Sequence, residues 1–318
     1  MLDNLIFSLN IVIPIFLVIV LGYFLKKRGI LGEGFLKGGN KVVFMFGIPA
    51  NLFISLYTAE ISDIFDIGFV IFAVVFTLLS FAAIWIYGLL FIKNKDLTSA
   101  FVQGAFRSNL AVLGLPLWIY ILGEQAAARG ALILVFVIPI YNILTILVLT
   151  AHSKTGKKMT LRGTLLSIVK NPPIIGITLG IIFSFLPISL PTMAYTTIRY
   201  LATLATPLAL ICLGVAIVYK GIDDRFKVAL LSSLIKIVAL PLIATVTAYL
   251  VGFRGDNLTI LMIMAGVPSA VAGYTMVEQL GGDGRTASSV VVFSTLLSAI
   301  SLTIFIYAFR SLGIIAGL

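Results

Sequence analysis

One cysteine and one histidine are all that 318 residues provide, and each scarcity excludes a class of chemistry. Cys212 alone closes no internal disulfide and builds no metal site, so it reads as a small packing residue. His152 alone supplies neither a histidine metal centre nor a catalytic triad. No GxxxxGK[ST] phosphate loop occurs, and the nearest string, KTGKK at 154–158, lacks the spacing. ATP-driven work by this chain is therefore disfavoured. No nucleophile and base suited to an intramembrane hydrolase can be found, no cofactor is implied, and the chain does not read as an enzyme.

Charge is the other shortage. Asp, Glu, Lys and Arg make up 11% of the residues against 60% hydrophobic, a balance foreign to soluble domains. The chain reads as an all-α polytopic membrane protein. Runs near the roughly 17 to 25 residues that cross a bilayer fall at 9–25, 42–57, 67–92, 97–122 and 130–151. Five more fall at 172–186, 200–219, 226–251, 258–280 and 286–309, ten spans in all. The first run lacks a small-residue cleavage site and reads as a retained anchor rather than a signal peptide.

The basic residues orient these spans. Sixteen Lys and Arg fall on one side, Lys26, Lys27, Arg28, Lys37 and Lys41 among them, against four on the other: Arg129, Arg199, Arg254 and Arg310. Cytoplasmic loops carry the excess, so both termini are expected to face outward from a cell membrane. The net charge of +10 then needs no nucleic-acid partner, and contact with anionic lipid accounts for it.

Five spans per half imply that a duplicated unit inserts upside down, a common arrangement in secondary transporters. Pro14, Pro49 and Pro116 are separated by 35 and 67 residues; Pro173, Pro207 and Pro268 are separated by 34 and 61. The last member of each series shares a local form, Gly114-Leu115-Pro116 and Gly266-Val267-Pro268, in the fourth span of its half. The halves are then 1–151 and 171–318, joined by a basic linker at 152–170 that has partly amphipathic surface-helix character.

Proline lacks an amide hydrogen and its ring clashes with the preceding turn, so each span is expected to open there and leave carbonyls unpaired. Two such breaks at similar depth point to a shared cavity. A half-helix beginning at Pro116 or Pro268 directs about +0.5 charge toward it, which favours an anion. Ser108 and Asn109 before the first break, and Ser269 and Tyr274 after the second, complete a candidate site.

The strings FRSNLAVLGLPL at 106–117 and AGVPSAVAGYTMVEQLGGD at 265–283, with ten spans in two halves, resemble the auxin efflux carrier family. That family includes bacterial malate and malonate permease-like members and the plant PIN carriers. The resemblance implies broken helices four and nine crossing at the substrate site, as in bile-acid-type transporters. It also implies a dimerising scaffold of helices one, two, six and seven, and transport helices three to five and eight to ten that move in an elevator-like alternation. Asn109, Gly114 and Pro116 would line one arm, and Gly266, Pro268 and Ser269 the other. The chain lacks the long central hydrophilic loop of the plant carriers.

Arg107, Asn142, Lys236 and Glu278 stand in costly intramembrane positions and are functional candidates. Arg107 and Glu278 each lie about 14 Å from a break at 1.5 Å per residue, which suits either a gating ion pair or independent snorkelling. Lys236 suits proton coupling, substrate contact or neutralisation of free carbonyls. Asn142 reads as a ligand contact or an interhelical hydrogen bond. Gly176-Ile-Thr-Leu-Gly180 permits close packing and suits a homodimer. The function expected is a carrier or uniporter of small organic anions; a receptor of the same fold, a channel and a sodium-coupled symporter are the alternatives.

Overall fold

A computed structural model describes residues 2–58, 66–152, 172–186, 189–216, 224–279 and 282–314. The expected linker lies outside these apart from His152, as do Glu60, Asp63 and Lys220 of the topology signals. The described chain is helical. Its elements are α1 (Leu2–Lys27), α2 (Glu33–Val42), α3 (Ile48–Tyr57), α4 (Ile67–Phe91), α5 (Lys95–Phe106), α6 (Leu115–Ala151) and α7 (Pro172–Phe185). They continue with α8 (Thr192–Ala216), α9 (Asp224–Leu234), α10 (Leu240–Val251), α11 (Gly255–Gly266), α12 (Val271–Gln279) and α13 (Gly284–Ser311). Among the described residues, seven helical stretches are long and apolar enough to cross a membrane.

Local signals set the helix ends. Asp3 stands in the first turn of α1 and Lys26 and Lys27 in its last, each opposing the helix dipole. Asp66 accepts a hydrogen bond from the Phe69 amide at 3.1 Å and caps α4, and Asp283 accepts from the Thr286 amide at 2.7 Å and caps α13. α1 and α8 begin earlier than the apolar runs at 9 and 200, because helical backbone continues through polar positions such as Asn4 and Arg199. Inside α6 the chain reverses at Gly123, whose φ of +80° and ψ of 169° only glycine adopts without strain. The reversal brings Gly130 against the Trp118 indole. A straight helix would hold those two residues about 18 Å apart along its axis.

Three prolines share one local geometry. Pro49, Pro116 and Pro241 each follow a π-helical turn, at Val43–Gly47, Leu110–Gly114 and Ile235–Ala239. The residue before each proline donates its amide to the carbonyl five residues back: Ile48 to Val43, Leu115 to Leu110 and Leu240 to Ile235. The wider turn absorbs the missing donor and makes room for the ring. Pro116 therefore does not open its helix, contrary to the expectation from sequence. The non-helical step lies at residues 107–109, upstream of it.

Small residues allow the closest helix contacts. α1 packs along α8 so tightly that a Cβ on Gly214 would lie 2.0 Å from the Ile19 carbonyl oxygen, and one on Gly22 would lie 2.3 Å from that of Ile211. α3 packs along α7 in the same way, with Gly176 against the backbone of Pro49 and Gly180 against that of Phe53. The 176–180 motif is thus consumed within the chain, a correction to its expected use between protomers. α9, α12 and α13 pack on α5, α10 and α11 pack on each other, and α4 joins this body through α5 and α6.

Candidate functional site

The chain unwinds twice at one place. Between α5 and the π turn, residues 107–109 are non-helical, and between α11 and α12 so are residues 267–270. These stretches lie antiparallel and pair: the Asn109 amide donates to the Pro268 carbonyl at 2.8 Å, and the Ala270 amide donates to the Arg107 carbonyl at 3.3 Å. Each break thus satisfies groups that the other exposes, which makes broken backbone tolerable in an apolar medium. The Ser108 hydroxyl adds a bond to the Met264 carbonyl at 2.6 Å, and Ser294 Oγ accepts the Ser269 amide at 3.1 Å.

Successive residues of an extended segment point opposite ways. Ser108 turns into α11, and Asn109 turns the other way into a cavity of about 320 Å³. Asn109 is 7% exposed, does not cap the helix that follows it, and its carboxamide has no hydrogen-bond partner among the described residues. The remaining wall is largely apolar, including Val112, Ala209, Leu213 and Val271, with Asn40 the only other polar side chain besides the Cys212 thiol. The helical turns beginning at Leu110 and Val271 start at this cavity, so the positive ends of two helix dipoles face it.

The carbonyl ends of the other two half-helices carry the cations. Lys236 is fully buried, and its Nζ donates to the Ala265 carbonyl at the end of α11. Arg107 follows the end of α5 and is 7% exposed. Its guanidinium donates to Asn142 Oδ1 at 2.8 Å, to Thr145 Oγ1 at 3.2 Å and to Met276 Sδ at 3.2 Å. Lys236 thus opposes the negative end of the α11 dipole, while side chains of α6 and α12 hold the Arg107 guanidinium.

Of the residues expected to bind a ligand, Asn109 lines this cavity and Tyr274 lines an adjoining one of about 250 Å³. Ser108, Gly114, Pro116, Gly266, Pro268 and Ser269 instead build the crossing: Pro268 supplies the carbonyl for Asn109, and Gly266 lies against Pro241. Asn142 joins α6 to Arg107 as an interhelical hydrogen bond. The Glu278 side chain lies outside the described residues, and the gating pair with it. Sequence reasoning missed Asn40. Its signal was the amphipathic run Glu33–Val42, in which residues 33, 37 and 40 share one face.

A family model described as "Membrane transport protein" matches residues 7–306. An "Uncharacterized transporter" of Methanothermobacter thermautotrophicus is 28% identical over 301 residues, covering 93% of this chain and 96% of its own. A "Putative malonate transporter" of Rhizobium meliloti is 26% identical over 309 residues, 95% of this chain and 96% of its own. A "Probable auxin efflux carrier component 5c" of Oryza sativa subsp. japonica is 26% identical over 165 residues, 49% of this chain and 43% of its own.

Proposed function

The chain belongs to the membrane transport protein family, in which the auxin efflux carriers also fall, and from that membership we propose a secondary transporter of small organic anions working by alternating access. The observation that carries the reading is the electrostatic layout of the crossing. Two helix N-termini and the Asn109 carboxamide face the cavity, while Lys236 occupies the carbonyl end of α11 and Arg107 is held by Asn142, Thr145 and Met276. A carboxylate placed in the cavity meets amide donors and positive dipole ends. A sodium ion at the end of α11 would need the Ala265 carbonyl that Lys236 already engages, so the layout favours an anion site over a sodium site. Malonate, named for one relative, and auxin, named for another, both belong to the carboxylate class.

Packing supports the inverted repeat of ten spans. α1 packs on α8 and α3 on α7, so the first span meets the seventh and the second meets the sixth. Exchanging the halves of a five-plus-five repeat turns one of these pairs into the other. In this reading α1, α2, α3, α7 and α8 form the scaffold on which two protomers meet, and α4 to α6 with α9 to α13 form the moving body. Both termini face outward from the plasma membrane.

Thermal unfolding against malate, malonate, other short carboxylates and indole-3-acetate tests the site, followed by uptake of the stabilising anion into proteoliposomes. A ligand at 100 times its dissociation constant stabilises by about 2.7 kcal/mol. The expected result is a shift for one anion class that is lost in Asn109→Ala. Absence of any shift across the panel removes the anion reading, and binding without uptake makes the protein a receptor. Proton coupling through Lys236 is part of the same proposal: uptake depends on pH in the wild type and not in Lys236→Met, and unchanged dependence in the variant ends that role.

A further inference from the structure

The cavity at the crossing does not end there. Asn40, Leu213 and Val271 line it and also line the adjoining cavity of about 250 Å³, so the two are immediate neighbours. The second cavity has a different character, with Lys26, Glu33, Lys37, Tyr274, Ser288 and Thr295 in its wall. One face of α2 and its π turn runs the length of both: Glu33 and Lys37 at the outer end, Asn40 in the middle, Val43 and Phe44 at the inner end. Seven helical residues from Lys37 to Phe44 cover about 10 Å. The path therefore grades from charged, through one carboxamide, to an apolar chamber whose far side holds the second carboxamide, Asn109.

From this we infer an anion-receiving subsite in the outer cavity, in which Lys37 with Lys26 draws in a small carboxylate and Asn40 passes it to Asn109. The inference rests on the organic-anion reading above and adds residues that the crossing itself does not contain. The two ammonium groups outnumber the single carboxylate, Glu33, so the mouth holds a net positive field, and a concave low-dielectric wall focuses such a field. Asn40 and Asn109 then play complementary parts. Asn40 is on the α2 face and exposed to the path, whereas Asn109 is buried at the crossing. A carboxylate between them can exchange the amide of one for that of the other without being stripped of all donors. Glu33 sets a limit on residence, because it competes with the anion for the same lysines.

The test separates the two membrane faces. Proteoliposomes of defined orientation are given radiolabelled malonate or indole-3-acetate at the lysine-bearing face, and separately at the opposite face, for wild type, Lys37→Gln, Asn40→Ala, Asn40→Gln and Asn109→Ala. Lys37→Gln is expected to raise KM on the order of fivefold at the lysine-bearing face, to leave KM at the other face unchanged, and to flatten the dependence of KM on ionic strength. Asn40→Ala is expected to raise KM at the same face, with Asn40→Gln restoring part of the loss. Equal KM for wild type, Lys37→Gln and Asn40→Ala at the lysine-bearing face, with Asn109→Ala inactive, overturns the subsite and leaves the anion site standing. Equal effects of Lys37→Gln at both faces also overturn it, since a capture site acts on one side. Failure of wild type to move or bind either probe overturns the anion reading, and this inference falls with it.

Discussion

Residues 107, 108 and 109 are consecutive and have three different jobs. Arg107 binds three neutral groups on α6 and α12, Ser108 ties the first break to α11, and Asn109 faces the cavity. Their roles predict different costs of substitution. Asn109→Ala removes a carboxamide with no protein partner among the described residues, so thermal unfolding of the ligand-free protein should change by less than about 0.5 kcal/mol. Asn142→Ala removes the acceptor of a buried guanidinium. Interhelical hydrogen bonds in membranes average about 0.6 kcal/mol and reach about 1.7. A charged, buried donor places this one near the upper end, so a loss of about 1.5 kcal/mol is expected by unfolding in detergent. A stability loss in Asn109→Ala larger than that in Asn142→Ala would reverse the assignment.

Helices and their junctions obey steric rules that single residues do not reveal. Gly214→Ala puts a Cβ against the Ile19 carbonyl, where only backbone movement relieves the clash. The expected cost is about 1 to 3 kcal/mol, measured as a lowered unfolding midpoint in the same detergent. Gly176→Ala meets the Pro49 backbone and should likewise lower the midpoint. Had the 176–180 motif joined two protomers, the same change would leave the unfolding of a monomer untouched and shift only its oligomeric mass, which light scattering measures. The prolines teach a related lesson. A proline in an apolar run signals a local change of helical geometry, but not which kind. Pro116 and Pro241 are absorbed by π turns, while Pro268 stands in a true break because the extended partner at 107–109 supplies its carbonyl with a donor.

At the scale of the molecule, the outer cavity and a polar cluster lie at opposite ends of α1. Lys26 lines the outer cavity, and Asn4 lies 22 residues earlier on the same helix, about 33 Å away at 1.5 Å per residue, a bilayer's apolar thickness. There α1 is fastened to α13: Asn4 Nδ2 donates to Ser311 Oγ at 3.1 Å, Arg310 Nε donates to Asn4 Oδ1 at 3.2 Å, and the Arg310 guanidinium sits 3.6 Å from the Phe7 ring centroid. Under the alternating access proposed above, this clamp releases when the opposite side opens. In a Cys212→Ser background, Ala272→Cys should react with an impermeant maleimide from the lysine-bearing face. Adding Arg310→Ala should let modification proceed from the other face as well; labelling still confined to one face would mean that the clamp does not govern opening.

The amino-acid order by itself determined that this chain enters a membrane, near which residues its helices run, and that two breaks recur in related positions. Apolar run length is a local property, and the helices obey it. The family was legible for the same reason, in the strings around Asn109 and Pro268. Tertiary structure alone decided which polar groups face the cavity. Ser108 and Asn109 differ by one position, and the antiparallel pairing with 268–270 sends one inward to Met264 and the other into open space. Lys37 and Asn40 read as part of a basic, amphipathic surface run until α8, α12 and α13 close around them, because a helical face has no assigned neighbour until another element packs against it.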